Sequence, residues 1–303
     1  MSRLKTAFIL IVPLILSTNC LYGTELHTLR GEEFRVLFHP DLRAAAFEMA
    51  EVYPYLSANL EHTFGWNFNL KPSILLIKDG EAFRQMAESP LTVAFAVPAR
   101  NLIVIDHSRM HLNPFTLEVI LKHELCHLLL HHHVREVALP RWLDEGVCQW
   151  ASDGIADIIL SQKRSSLNRA TLQRSLIPLN ALENDFPRDD ASLVLAYEQS
   201  KSVVTYIVHK FGKEGVLSVL NGMRQGEPLD TAILNELSIS LAELEEKWRH
   251  TLRQRVTWFT YVIYNIYEIL FVLGALITVF AFIKVFIRKK AYMKDESEND
   301  PFS

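Results

Sequence analysis

Two histidines and a glutamate that could bind and use a metal ion lie in the stretch 123–127, which reads His-Glu-Leu-Cys-His. The surrounding run is apolar and opens with an Asn-Pro pair, so we predict a helix from about residue 114 to about 131. Residues four apart on a helix lie one turn apart on the same face. His123 and His127 can therefore bind one ion, and Glu124 beside them can take a proton from a water molecule.

A third metal ligand is available on a second helix. Pro140 can open that helix and Gly154 can end it, which places Glu145 in its first turns. If the two helices pack side by side, the Glu145 carboxylate joins the two histidines. Two histidines and one glutamate leave a fourth position open for water, as in catalytic zinc sites. The alternative is a buried helix with two incidental histidines.

The pentapeptide and the later Pro-Arg-Trp-Leu-Asp-Glu-Gly at 140–146 together resemble the gluzincin metallopeptidases, in particular the peptidase MA-like group. The segment Ala-Tyr-Glu-Gln-Ser at 196–200 resembles the A-Y-x-Q-S segment of that group. The resemblance covers about residues 30–250. It implies an α+β zincin-like fold, with a small twisted sheet ahead of the zinc-binding helix, one Zn²⁺ ion and hydrolysis of peptide bonds.

The resemblance also singles out Tyr197. Gluzincins often use a tyrosine or histidine downstream of the glutamate ligand, and a tyrosine hydroxyl can stabilise the oxyanion of a tetrahedral intermediate. We therefore count Tyr197 with Glu124 as a candidate catalytic residue. The alternative is a core tyrosine whose hydroxyl is satisfied by a neighbouring group.

Two other residues compete for the place of third ligand. His133 has the spacing of the third metzincin ligand, but Leu130 stands where that pattern has the glycine that lets the chain turn. The histidines at 131–133 also suit a solvated helix C-terminus. Asp144 is adjacent to Glu145 but points about 100° away on the same helix, so only one of the two can face the metal. The family pattern favours Glu145.

Two cysteines lie near the proposed ligands. Cys126 and Cys148 could supply thiolates to a metal, or could pack as small apolar side chains between helices. We expect packing. The remaining cysteine, Cys20, lies in the leader and raises the question of lipidation, although Ser17 stands where a lipoprotein signal has leucine.

The pattern ahead of the metal motif predicts a small sheet. Strands are expected at 34–38 and 73–77, followed by a hairpin of strands at 92–97 and 102–106. In zincins the edge strand commonly holds an extended substrate by strand addition, a role we expect for Val93–Val97. The alternative is an ordinary core strand with one solvent-facing side.

The region after the motifs is predicted to be mainly helical. Helices are expected at 191–211, ending at Gly212, then at 213–223 and at 241–255. In the preceding stretch, residues 155–190, the part 161–175 is polar and basic and the part 184–190 is loop-like, and these parts could form the rim of a cleft.

Both ends of the chain have the composition of membrane-targeting segments. Residues 1–23 are predicted to be a signal peptide, with basic residues ahead of a short apolar core, although an uncleaved anchor is the alternative. The catalytic domain then spans 24–255. Residues 256–287 combine an aromatic interfacial segment with a transmembrane helix, and 288–303 form a cytoplasmic tail that begins Arg-Lys-Lys. These features predict a single-pass membrane protein with an extracytoplasmic catalytic domain, on the periplasmic side of the inner membrane in a Gram-negative cell.

Composition limits the class of partner. The net charge of −4, without a basic stripe, argues against nucleic acid and leaves a peptide or protein substrate and the membrane as partners. The sequence lacks a G-x-M-E-N stretch, which aminopeptidase gluzincins use to hold a free amine, so we predict an endopeptidase. Two alternatives stay open: a catalytically silent zincin that serves as a membrane-anchored binding or assembly module, and a zinc hydrolase acting on something other than peptides.

Overall fold

A computed structural model describes residues 26–87, 89–110, 116–135, 137–152, 165–256, 262–263 and 265–298. The predicted signal peptide, the Asn113–Pro114 pair and Gly154 lie outside these ranges. The chain divides into two compact units, Met1–His250 and Thr251–Ser303.

The first unit contains a five-stranded mixed sheet in the order β1-β2-β3-β5-β4. Its strands are β1 (His27–Arg30), β2 (Arg35–Phe38), β3 (Ser73–Ile77), β4 (Ala94–Val97) and β5 (Leu102–Asp106). Strands β2, β3 and β5 run parallel, while β1 and β4 are antiparallel to their neighbours. The near-continuous apolar sequences of β3 and β5 suit strands that are covered on both faces.

The β4–β5 hairpin forms one edge of the sheet. β4 pairs with β5 from Ala94 opposite Ile105 to Val97 opposite Leu102. A 3-10 turn, Pro98–Arg100, joins the strands, and Asn101 ends it with a left-handed φ of 51°, a conformation that asparagine tolerates better than most residues. The predicted hairpin is confirmed.

Helices account for most of the remaining described residues. They are α1 (Arg43–Phe64), α2 (Gly80–Arg84), α3 (Leu117–His133), α4 (Arg141–Ala151), α5 (Ser166–Gln173), α6 (Asp190–Arg224), α7 (Leu229–Leu237) and α8 (Leu241–Arg255). α3 packs against α1, β4 and α4, and α4 packs in turn against α6. The metal-motif helix α3 is therefore held between the sheet and the helical half of the unit, and the predicted α+β class is confirmed.

Helix boundaries differ from the predictions for identifiable reasons. α3 begins at Leu117 because the Thr116 hydroxyl accepts a hydrogen bond from the backbone N–H of Val119, at 3.4 Å. It continues to His133, two residues past the predicted end. Ahead of α1, Asp41 lies in a 3-10 turn and pairs with Lys78. The break predicted at Gly212 is real, since φ there is 76° inside α6.

The second unit contains helix α9 (Ile266–Glu298). Its part Ile266–Arg288 is long and apolar enough to cross a membrane, with a mean hydropathy of 2.6. Within the predicted segment 256–287 the transmembrane part is expected at the apolar run 269–287, and that run lies inside Ile266–Arg288. Of the predicted aromatic belt, Tyr267 is exposed, while the aromatic residues at 258, 261 and 264 lie outside the described residues.

Candidate active site

The two motif histidines face each other on α3. The Nε2 atoms of His123 and His127 are 3.0 Å apart, as the four-residue spacing predicts. α4 brings Glu145 to the same point, with its Oε2 atom 3.6 Å from each Nε2 atom. His123 is buried, and the side chains of His127 and Glu145 are each 12% exposed. Three predicted ligands therefore converge at the centre of the unit.

This triangle of donor atoms fits a zinc ion. Zinc binds histidine nitrogen at about 2.0–2.1 Å and carboxylate oxygen at about 2.0–2.2 Å, so tetrahedral ligand atoms lie roughly 3.3 Å apart. The edges here are 3.0, 3.6 and 3.6 Å. Glu145 Oε2 is also buried without a hydrogen-bond partner among the described residues. A buried carboxylate oxygen without such a partner is stabilised by a cation.

The charges around the site favour a cation in the same place. Burial lowers the pKa of His127, but Asp144 and Glu145 outweigh that effect and raise the pKa well above its usual value. Burial likewise raises the pKa of Glu145, yet the charge on His127 and the closeness of both motif histidines hold the pKa at about 2. The site stabilises positive charge, and a divalent ion can supply it.

Asp144 does not face the triangle; it binds the far side of His127. Its Oδ1 atom lies 2.8 Å from His127 Nδ1, and its Oδ2 atom lies 2.8 Å from His131 Nε2. A carboxylate on Nδ1 fixes the ring orientation and keeps Nε2 available as the ligand atom. Burial raises the pKa of Asp144, but His127 and His131 outweigh it and hold the pKa far below its usual value. Asp144 is therefore an orienting carboxylate.

Glu124 is buried and lines the same cleft as the three candidate ligands. Burial raises the pKa of Glu124 above its usual value, although His123 and His127 oppose the shift. A carboxylate with a raised pKa is better matched to taking and returning a proton near neutral pH.

The cleft has a volume of about 360 Å³. One wall is the edge strand and its flanks, including Thr92, Val93, Ala94, Phe95, Ala96 and Pro98. Arg141, Glu183, Asn184 and Tyr197 also line the cleft. The predicted substrate strand thus lies beside the candidate metal ligands.

In the Ala-Tyr-Glu-Gln-Ser segment, the three residues that match the family pattern after the alanine have different surroundings. Tyr197 lines the cleft, whereas Gln199 and Ser200 are fully buried. The Gln199 amide accepts from the backbone N–H of Ile177 at 2.9 Å and donates to its carbonyl at 2.8 Å. The Ser200 hydroxyl donates to Ala196 O at 2.8 Å. Two of the three therefore stabilise the fold around α6.

His133 lies away from the triangle. Its Nε2 atom is 3.0 Å from the Asn67 carbonyl oxygen, and its ring is tilted by 37° against that of Trp66, with centroids 4.8 Å apart. The helix indeed continues past Leu130, as the missing glycine predicts. The side chain of His131 is 37% exposed, as a solvated helix end predicts, but it also lines the cleft and contacts Asp144.

Cys126 and Cys148 are free and completely buried. Cys148 Sγ lies 3.5 Å from His127 Nδ1, on the side of the ring away from Glu145. Burial, and then contact with Cys126, raises the pKa of Cys148 well above its usual value, which disfavours a thiolate. Their position agrees with the predicted packing role.

Sequence reasoning did not identify Arg141, Phe186 or the role of His131. The signal for His131 was present, because it extends the four-residue spacing of His123 and His127 by one turn. No local pattern marks Arg141 or Phe186, whose contacts with each other and with Tyr197 join separate parts of the chain.

Comparison with known proteins agrees with this site. The profile of the Peptidase MA superfamily matches residues 81–254, which include the candidate ligands, Glu124 and Tyr197. The chain belongs to this superfamily, and the predicted gluzincin-like membership is confirmed. No curated protein matches the sequence.

Several solved structures share part of the fold. An M1 zinc metallopeptidase from Deinococcus radiodurans, an E323A mutant bound to Tyr-Ser-Ala substrate, is 18% identical with a TM-score of 0.44, covering 77% of this chain and 51% of that one. Legionella pneumophila aminopeptidase A in complex with aspartic acid is 14% identical with a TM-score of 0.43, covering 74% and 27%.

Yeast LTA4 hydrolase in complex with bestatin is 14% identical with a TM-score of 0.43, covering 76% of this chain and 38% of that one. This chain spans about half the length of the first of these structures and less of the other two. Likenesses of this degree carry no argument about its activity.

Proposed function

We propose that the protein is a membrane-anchored zinc metallopeptidase that hydrolyses peptide bonds outside the cytoplasm and acts as an endopeptidase. The observation that carries the proposal is the convergence of His123, His127 and Glu145 in a cleft that also contains Glu124. Superfamily membership supports the same class. One zinc ion would be held by these three ligands.

When bound, zinc would act as a Lewis acid that polarises the scissile carbonyl and lowers the pKa of a water molecule. Glu124 is buried next to the first histidine ligand and lines the cleft, so its carboxylate can take a proton from the attacking water. The same carboxyl can then give that proton to the leaving amine. Its raised pKa suits both transfers.

The remaining cleft residues would orient the substrate and stabilise developing charge. The outer edge of β4 can pair with an extended peptide by strand addition, since β4 is an edge strand that lines the cleft. Tyr197, which also lines the cleft, can donate a hydrogen bond to the oxyanion. Asp144 holds the ring of His127 in its ligand orientation.

Membrane anchoring and the extracytoplasmic site are parts of the proposal that rest on other features. The apolar helix Ile266–Arg288 supports anchoring by its length and composition. The predicted signal peptide and the basic residues from Arg288 support an outside catalytic domain. The lack of a G-x-M-E-N stretch supports internal cleavage.

The test uses the full chain, purified in detergent and loaded with zinc, with two mixtures of peptides as substrates, one blocked at both ends and one with free amino termini. Mass spectrometry should find cleavage at internal bonds. Glu124→Gln should keep its zinc, because Glu124 is not a ligand, and should lose activity about a hundredfold to ten-thousandfold.

Two results would overturn the proposal. A zinc-loaded wild type that cleaves no peptide would favour a binding module, and a fully active Glu124→Gln protein would exclude Glu124 as the base. Cleavage confined to peptides with a free amino terminus would leave the peptidase intact but make it an aminopeptidase.

A further inference from the structure

Tyr197 is held by two residues that the proposed mechanism does not yet use. Phe186 is buried, and its ring meets the Tyr197 ring edge-on, with centroids 5.2 Å apart and planes at 87°. The guanidinium of Arg141 lies over the same Phe186 ring, 5.0 Å from its centroid. One phenylalanine therefore contacts both polar side chains, with geometries that favour attraction.

Burial and the charge of Glu145 raise the pKa of Tyr197, while the charge of Arg141 and hydrogen bonding from its guanidinium oppose that shift, so the guanidinium that lies over Phe186 also acts on the Tyr197 hydroxyl. A guanidinium can only donate, so the phenol oxygen must be the acceptor. The O–H of Tyr197 is then left to donate in another direction, and a hydrogen bond accepted by a hydroxyl strengthens the one it donates. Both residues line the cleft that contains Glu124 and Glu145.

The backbone fixes where Arg141 stands. It is the first residue of α4, and its N–H donates to the Glu183 carbonyl at 2.7 Å. That bond ties α4 to the loop that carries Phe186. Because Glu145 is one helical turn further along α4, the same helix positions a metal ligand and the group that binds Tyr197.

We propose that Arg141, steadied by Phe186, positions and polarises the Tyr197 hydroxyl so that it donates to the oxyanion formed when a peptide bond is attacked. This inference rests on the proposed peptidase function. Arg141 acts through Tyr197 and is a positioning residue. A direct role of Arg141 in binding a substrate carboxylate is the competing explanation.

A double-mutant cycle separates the two explanations. The variants are Tyr197→Phe, Arg141→Gln and the double substitution, each in the zinc-loaded full chain, with kcat and KM measured on a peptide that the wild type cleaves. Loss of one oxyanion donor lowers kcat about a hundredfold to a thousandfold, so Tyr197→Phe should approach that loss. Arg141→Gln should lower kcat, leave KM unchanged, and add nothing in the Tyr197→Phe background.

Two further variants guard against a merely structural effect. Arg141→Lys keeps the charge and should recover part of the lost kcat. Arg84→Gln, at an exposed arginine paired with Glu81, should change nothing. Zinc content should be the same in every variant. Loss of zinc in Arg141→Gln, a rise in KM alone, or equal losses with and without Tyr197 would overturn the inference.

A binding measurement keeps this inference distinct from the peptidase proposal. The probe is a mixture of phosphinic peptides, whose tetrahedral phosphorus oxygens imitate the oxyanion. Tyr197→Phe and Arg141→Gln should weaken its binding without additivity, whether or not the wild type turns over peptides. Additive losses of probe affinity would overturn the role of Arg141 but would leave the peptidase proposal standing. A wild type that neither cleaves peptides nor binds the probe would overturn both proposals.

Discussion

Gly146 lies against the backbone of Ser200, so closely that a Cβ atom at Gly146 would come within 2.4 Å of the Ser200 carbonyl oxygen. The same atom would be 2.7 Å from the Val204 side chain. The glycine that follows the proposed metal ligand Glu145 thus lets α4 touch α6 at the segment that carries Tyr197. Two motifs that are far apart in sequence meet at this contact.

Gly146→Ala should therefore destabilise the protein, although alanine is ordinarily the better helix former by about 1 kcal/mol. Overpacking of this kind costs about 1–3 kcal/mol, and the neighbour here is backbone, which cannot rotate away. Thermal unfolding should show a lower Tm, and zinc affinity should fall as α4 moves. Gly274→Ala, at a helical glycine with nothing within 4 Å, should leave both unchanged. Equal stability of the two variants would contradict the close contact.

The second prediction concerns the carboxylate behind His127. Asp144→Ala should weaken zinc binding about tenfold to a hundredfold, because such partners orient the ligand ring. Asp144→Asn should lose less, since its amide oxygen can still accept from His127 Nδ1. Competition with a chelator measures the affinities, and Asp41→Ala, at an exposed carboxylate paired with Lys78, is the matched control. If Asp144→Ala binds zinc as tightly as that control, the contact with His127 has no bearing on the metal.

The parts of this site that could be predicted are those set by local geometry. The spacing of His123 and His127 fixes their common face, because helix periodicity operates within one element. The prediction of Glu145 as third ligand assumed that two helices pack side by side. The choice of Glu145 over Asp144 came from the family resemblance. Strands β2 to β5 and the break at Gly212 followed from apolar runs and from glycine.

The parts that could not be predicted depend on tertiary packing or on weak local signals. Arg141 and Phe186 meet because the backbone N–H of Arg141 donates to the Glu183 carbonyl, which ties the loop that carries Phe186 to α4. No sequence periodicity encodes this contact. β1 (His27–Arg30) has only four residues and a mostly exposed pattern, so its sequence carries little strand signal. α7 (Leu229–Leu237) is a nine-residue helix that was likewise not predicted.

The third prediction tests the orientation in the membrane. It rests on the short apolar core near the amino terminus and on the basic residues that begin at Arg288. A reporter fused after Ser303 should be active only in the cytoplasm, and one fused near Lys247 only outside it. Two reporters that are each active in only one compartment, such as a phosphatase and a fluorescent protein, should be fused in turn at both positions. The reverse pattern would place the catalytic domain in the cytoplasm and remove the extracytoplasmic part of the proposal.

The last prediction identifies the residue that completes the metal site. Glu145 Oε2 lies 3.6 Å from both histidine Nε2 atoms, whereas His133 binds the Asn67 carbonyl. Three protein ligands are usual for a catalytic zinc, so loss of one weakens binding far more than loss of a neighbour. Glu145→Ala should therefore be empty at zinc concentrations that still fill His133→Ala, as measured by metal analysis after dialysis against buffered zinc. The zinc content of Asp144→Ala should lie between those of the other two variants. Retention of zinc by Glu145→Ala together with its loss from His133→Ala would require a bend after Leu130, and would assign the third ligand to the metzincin position.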